Sequence, residues 1–306
     1  MRLGLRLPGE EGLSSMNATV GWRSAAASDP GLRRANNEDR VFADDAGGIF
    51  LVVDGMGGRA AGELAADTAI QAIPKHLESS GGDLTERVRQ AITAANNDIY
   101  RLAQDREDCR GMACVLTLAV AHEDQITLGH VGDSRLYLIW NGSLRKVTSD
   151  HSPVGELEEQ GQLTEADAMS HPRRNEVFRD VGSRPREAHE EEFIQVKSFP
   201  FRPGAALLLC TDGLSDMLTS SQISEIVERY SGDPDVTAQE LVAAANQQGG
   251  EDNISVIFVA GSEFLGTESE AMSEARTRHS VTQVREIKSW WRRMLNRLGH
   301  LLDRSV

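Results

Sequence analysis

The sequence predicts an α+β fold, with helices packed on antiparallel sheets, and three observations carry that reading. Short apolar, β-branched runs follow one another closely. The two strongest helical stretches are neighbours. Strands and helices do not alternate as they would in a doubly wound parallel sheet. In chain order, 49–53 reads as a strand and leads straight into Asp54-Gly55-Met56-Gly57-Gly58. Helices are predicted over the alanine-rich 60–72 and over 84–104, where Val88, Ile92, Ala95 and Ile99 recur at helical spacing. Strands follow at 115–121, 126–131 and 136–140, the last ending in the hairpin signal Asn141-Gly142. Buried strands at 206–210 and 254–260 flank helices at 223–230 and 236–247, and no internal repeat is evident.

Composition bounds the function. The chain has 306 residues, 40% of them hydrophobic, which suffices for a sizeable core. A net charge of −15 argues against a nucleic-acid partner. Cys109, Cys114 and Cys210 have neither zinc nor disulfide-framework spacing, as suits a reducing compartment. No apolar run reaches the ~18 residues of a membrane span. Gly4, Arg6, Pro8 and Gly9 interrupt the first fifteen residues, a poor signal peptide, and Met16 is a candidate start. These features predict a cytoplasmic protein.

Four acidic turn signatures stand at strand ends: Asp54-Gly55, Gly132-Asp133, Asp212-Gly213 and Gly250-Glu251-Asp252, with Glu38-Asp39 before the first strong strand. Hard divalent cations take oxygen ligands, and strand ends place carboxylates rigidly. A glycine beside the carboxylate lets the backbone approach and offers a carbonyl. Carboxylates crowded together without cations would raise one another's pKa. Two cations can instead activate a bridging water towards phosphorus. Arg34, five residues before Asp39, is the best placed guanidinium to hold phosphate oxygens, although on spacing alone the reading as a surface arginine wins.

The order of the motifs resembles the metal-dependent protein phosphatases of the protein phosphatase 2C type, in their bacterial form. The matching segments are Asp29-Pro30-Gly31, Arg34-Ala35-Asn36-Asn37-Glu38-Asp39, Val53-Asp54-Gly55-Met56-Gly57-Gly58, Gly132-Asp133-Ser134-Arg135, Ser149-Asp150-His151-Ser152, His171-Pro172-Arg173-Arg174-Asn175, Thr211-Asp212-Gly213-Leu214 and Glu251-Asp252-Asn253. The resemblance implies a four-layer α-β-β-α sandwich with the metals at one end. It implies hydrolysis of phosphoserine and phosphothreonine in proteins by a two-metal-activated hydroxide, reversing a serine/threonine kinase, with Mn²⁺ or Mg²⁺ as cofactor. By the same resemblance Asp54, Asp212 and Asp252 ligate one ion, Asp54 and the Gly55 carbonyl serve the second, and Glu38 and Asp39 act through waters. Asp133 with Asp212 offers a weaker third site, Arg34 grips phosphate, and 155–182 forms a flap beside the active site. Many eukaryotic members carry a histidine where this chain has Met56, which leaves the general acid unassigned. Two alternatives stand beside this reading: a binding module of the same fold without hydrolysis, and a hydrolase of small phosphate esters.

The expected organisation is a poorly ordered extension at 1–17, a catalytic domain at 18–262, a linker at 263–280 and a basic amphipathic helix at 281–306. Residues 1–262 carry 24 basic and 41 acidic side chains, whereas 263–306 carry 8 and 6. In the last segment Val284, Ile287, Trp291, Met294, Leu298 and Leu301 recur at helical spacing, flanked by Arg285, Lys288, Arg292, Arg293 and Arg297. Two readings compete there. The helix packs on the catalytic domain, a second copy or a partner protein, or it lies peripherally in an anionic membrane surface.

Overall fold

The computed structural model describes residues 21–266 apart from 58–60, 80–81 and 191. The expected segments 1–17 and 281–306, and all but the first four residues of the expected linker, lie outside the described residues.

Ten strands form two antiparallel five-stranded sheets: β1 Trp22–Asp29, β2 Arg40–Asp44, β3 Ile49–Met56, β4 Ala113–His122, β5 Gln125–Val131, β6 Arg135–Trp140, β7 Ser143–Lys146, β8 Gln195–Pro200, β9 Ala206–Cys210 and β10 Ile254–Gly261. One sheet runs β1-β10-β9-β6-β7 and the other β2-β3-β4-β5-β8. The helices are α1 Ala61–Ser79, α2 Leu84–Asp105, α3 Pro153–Glu159, α4 Glu165–Met169, α5 Asp212–Ser215, α6 Ser220–Glu228 and α7 Pro234–Gln248. The four-layer sandwich expected from the resemblance is the fold observed.

The uninterrupted apolar runs of β3, β9 and β10 follow from burial on both faces. In β3, Ile49, Leu51 and Val53 join the layer under α1 and α2, while Phe50 and Val52 point between the sheets. In β9, Ala206, Leu208 and Cys210 face α6 and α7, and Leu207 and Leu209 turn inward. Each strand therefore feeds two cores at period two.

Several elements exceed or escape the sequence reading. The first helix runs on through Pro74 to Ser79, although an interior proline ordinarily ends a helix. β1, β2, β7 and β8 were not read as strands. Each is half-exposed, and none carries the uninterrupted apolar run of the central strands. The Asn141-Gly142 turn is as expected, with φ of 51° and 67° at its two residues. Phe264, assigned to the linker, is 8% exposed and packs 5.2 Å from the Tyr230 ring.

Antiparallel pairing brings the acidic motifs to one pole. Arg40 pairs with Val53, so Asp39 before β2 comes beside Asp54 in β3. Arg135 pairs with Cys210, and Cys210 with Val256, which gathers Asp133, Asp212 and Asp252 around the same end.

Candidate active site

A cavity of about 220 Å³ opens at this pole and is lined by Arg34, Glu38, Asp54, Gly55, Asp133, Asp212 and Asp252. Seven of the eight site residues expected from the sequence thus meet in one hollow. Asp39 does not line it. It lies behind the wall at 3% exposure, its Oδ2 accepting a 2.9 Å hydrogen bond from Thr211 Oγ1. Thr211 Oγ1 also accepts from Ser255 N–H at 3.0 Å within its own sheet, so that its bond to Asp39 links that sheet to the start of β2 beneath the site.

Glycine is required beside Asp54 for a steric reason. A Cβ on Gly55 would fall 2.2 Å from the Gly62 carbonyl oxygen and 2.7 Å from that of Glu38. The chain at Asp54 is therefore pressed against the start of α1 and the Glu38 loop, with no room for a side chain.

The electrostatics call for positive charge. Burial, then repulsion from Asp39, Asp212, Asp133 and Asp252, holds the Asp54 carboxyl well above the usual range. Burial followed by Asp133, Asp216 and Asp252 does the same to Asp212. Burial raises Asp39 and Asp133 to about 7 each. Asp39 Oδ1 and Asp212 Oδ1 are buried without a hydrogen-bond partner, a cost that proteins rarely leave uncompensated. Arg34 Nη2, at the rim, donates to Asp252 Oδ2 at 2.6 Å.

The donor set suits hard cations: carboxylates, a backbone carbonyl at Gly55 and no thiol or imidazole. Among the described residues, no three acidic, histidine or cysteine side chains close into a ready-made single-ion cage. That is compatible with Mg²⁺ or Mn²⁺, which keep several waters in their shells. Larger hollows of about 390 and 430 Å³ exist elsewhere. The first has no carboxylate, and in the second Glu63 and Asp67 are already paired with Arg40.

Sequence reasoning assigned no role to Asn253, yet it organises the Arg34 loop. Its Oδ1 accepts from Glu38 N–H at 2.8 Å, and its Nδ2 donates to the Pro30 and Asn36 carbonyls at 3.0 and 2.8 Å. Its place in the Glu251-Asp252-Asn253 motif was the available signal. The flap region contributes Asn175 and Val177 to the cavity wall. It is fastened to the domain by Arg174, which reaches Asp216 and Glu251 at 3.2 and 3.0 Å, and by Glu165, which accepts from Ser220 N–H at 2.8 Å. Asp180 of the same region accepts from Ser183 N–H at 3.0 Å and closes a local turn. His171 likewise caps a turn, its Nδ1 accepting from Arg173 N–H at 3.2 Å.

A family profile described as protein phosphatase 2C matches residues 33–244. The chain belongs to the protein phosphatase 2C family. It is 36% identical over 241 residues to the serine/threonine phosphatase stp of Listeria monocytogenes, covering 76% of this chain and 92% of that protein. To the protein phosphatase PhpP of Streptococcus pneumoniae it is 34% identical over 242 residues, covering 77% and 96%. Among solved structures, the Mycobacterium tuberculosis phosphatase PstP superposes with a TM-score of 0.70 at 35% identity, covering 78% of this chain and 98% of that one. A structure of the PstP catalytic domain with two manganese ions gives 0.69 at 33% identity, with the same coverage. This protein phosphatase 2C member is a metal-dependent enzyme that dephosphorylates serine and threonine in proteins. The binding-module alternative is thereby set aside.

Proposed function

We propose that Asp54, Asp212 and Asp252 hold one divalent cation, and that Asp54 and the Gly55 carbonyl hold a second. Glu38 and Asp39 act through waters, and Asp133 with Asp212 takes a weaker third. The supporting observation is the buried cluster of like-charged carboxylates, two with unpartnered oxygens, around one cavity. Mn²⁺ or Mg²⁺ bound there supplies Lewis acidity and an activated water. The protein's own part is to fix the carboxylates at strand ends and to aim Arg34 across the mouth. Its guanidinium is half-exposed, so it can leave Asp252 for two phosphate oxygens.

Arg34→Ala should raise KM for a phosphothreonine peptide about tenfold, the worth of one charge-assisted fork, and weaken inhibition by inorganic phosphate. Mn²⁺ binding measured by calorimetry should stay close to wild type. A collapse of metal affinity would make Arg34 a structural residue. Turnover of the phosphopeptide against a small nucleotide then separates a protein phosphatase site from one built for small esters.

The substrates we infer are phosphoproteins made by a serine/threonine kinase, the kinase included. No helix among the described residues is long and apolar enough to cross a membrane. Residues 281–306 carry six basic and two acidic side chains, a composition that would suit contact with a partner protein or an anionic bilayer. Deleting them should leave hydrolysis of small substrates intact. Equal and poor co-sedimentation of full-length and truncated chains with anionic vesicles would eliminate the bilayer.

A further inference from the structure

One buried residue outside the cavity joins the Asp133 loop to the flap's return. His151 is 5% exposed. Its main-chain N–H donates to the Gly132 carbonyl at 2.7 Å, and Gly132 N–H donates back to His151 Nδ1 at 3.1 Å. On the other side, the His151 carbonyl accepts from Phe178 N–H at 3.0 Å, and Arg179 Nη1 lies 3.2 Å from Nε2. The residue just before Asp133 and the last residues of the flap therefore share one imidazole.

That imidazole cannot satisfy both neighbours. Burial, followed by the charges of His130 and Arg179, lowers its pKa to about 3, so the ring is neutral. A neutral ring has one N–H and one lone pair. Gly132 N–H and the Arg179 guanidinium are both donors, so the lone pair serves one at a time. Gly132 is buried, and its amide has no water to turn to. Arg179 is only partly buried and can be solvated. The His130 ring, 4.8 Å away, is held by Thr117 Oγ1 and the Ser149 carbonyl at 2.9 and 3.2 Å and backs the arrangement.

We propose that His151 is a positioning residue for Asp133, its single lone pair holding the Gly132 amide and contested by Arg179 of the flap. Flap docking and cation retention at Asp133 are coupled through this choice. The inference rests on the assignment of Asp133 as a ligand of the weaker ion.

The test uses the full chain, with Mn²⁺ titrated calorimetrically and melting followed in parallel. Asparagine at 151 can place its carboxamide oxygen where Nδ1 stood, whereas glutamine reaches only the Nε2 position. His151→Gln should weaken the weakest Mn²⁺ site about tenfold, the usual scale for losing a group that supports a ligand. His151→Asn should bind nearly as wild type, and Arg179→Met, which removes the competing donor, should bind more tightly. Equal weakening in the two His151 variants, or lowered melting with unchanged Mn²⁺ affinity, overturns the proposal. Should His151→Gln not fold, Arg179→Met decides, because unchanged affinity there also overturns it. Asp133→Asn separates the two layers of the argument. If that variant keeps the wild-type ion count, the ligand assignment has failed and the coupling with it. If it loses the weak ion while His151→Gln keeps it, only the coupling is wrong.

Discussion

Asp54→Asn should abolish Mn²⁺-dependent hydrolysis of p-nitrophenyl phosphate and, in the same molecule, raise the melting temperature of the metal-free protein. The two effects have one origin. Asp54 is half-buried in the cavity wall and surrounded by Asp39, Asp212, Asp133 and Asp252, all of which disfavour its charge. With cations bound that charge density is the binding energy; without them it is repulsion in a medium that screens poorly. Asparagine keeps the shape and removes one charge. Loss of the cations' several kcal/mol of transition-state stabilisation corresponds to a rate drop of ~10³-fold or more. Relief of even ~1 kcal/mol of repulsion shifts melting of a domain this size by about 2–4 °C. The wild type should gain stability with Mn²⁺, about 2.7 kcal/mol at one hundred times Kd, and the variant should gain less. A variant that melts lower than wild type in chelator, or that turns over normally with Mn²⁺, would remove Asp54 from the centre of the metal site.

What the sequence made legible was whatever is repeated or concentrated. The strands buried on both faces announced themselves because nothing polar interrupts them, as in β9, where all five residues are buried. The acidic motifs could be found because each sits where such a strand stops. Edge strands were hidden, because β7 alternates exposed with half-buried residues and looks like a loop. The supporting network was hidden too, because its members are far apart in sequence and individually ordinary. Thr211 reaches Asp39 across 172 positions, and Asn253 reaches Glu38 across 215. Nothing local marks a threonine hydroxyl as the group that orients a buried carboxylate. The same holds for Arg135 and Asp150, which sat in quoted motifs without a role until the β6–β7 hairpin brought them together.

Asp150→Ala should be the most destabilising of the substitutions considered, by about 3–5 kcal/mol, because it strands a buried guanidinium. Arg135 donates to Asp150 Oδ2 through Nε at 3.0 Å and Nη2 at 2.7 Å, and Lys146 Nζ lies 3.5 Å from the same oxygen. Glu158, 3.6 Å from Arg135, is the other carboxylate ion-paired with it among the described residues and is itself shared with Lys146 at 3.3 Å. Burial alone would raise the Asp150 pKa, but the charges of Arg135 and Lys146 outweigh it and hold the carboxyl below its ordinary value. A carboxylate whose folded pKa is depressed adds stability that is fully present above its unfolded pKa of ~3.9, and that stability is lost as pH falls through the folded value. The wild-type advantage over Asp150→Ala should therefore be constant from neutral pH down to about 5 and shrink below ~4. Replacing both partners, Arg135→Met with Asp150→Leu, should recover much of the loss, since an apolar pair carries no charge to desolvate. Urea unfolding at pH 7 and at about pH 3 measures both expectations. If Asp150→Ala costs less than ~1 kcal/mol, or if the double replacement is no better than the single one, the pair is not the buried electrostatic anchor of this hairpin.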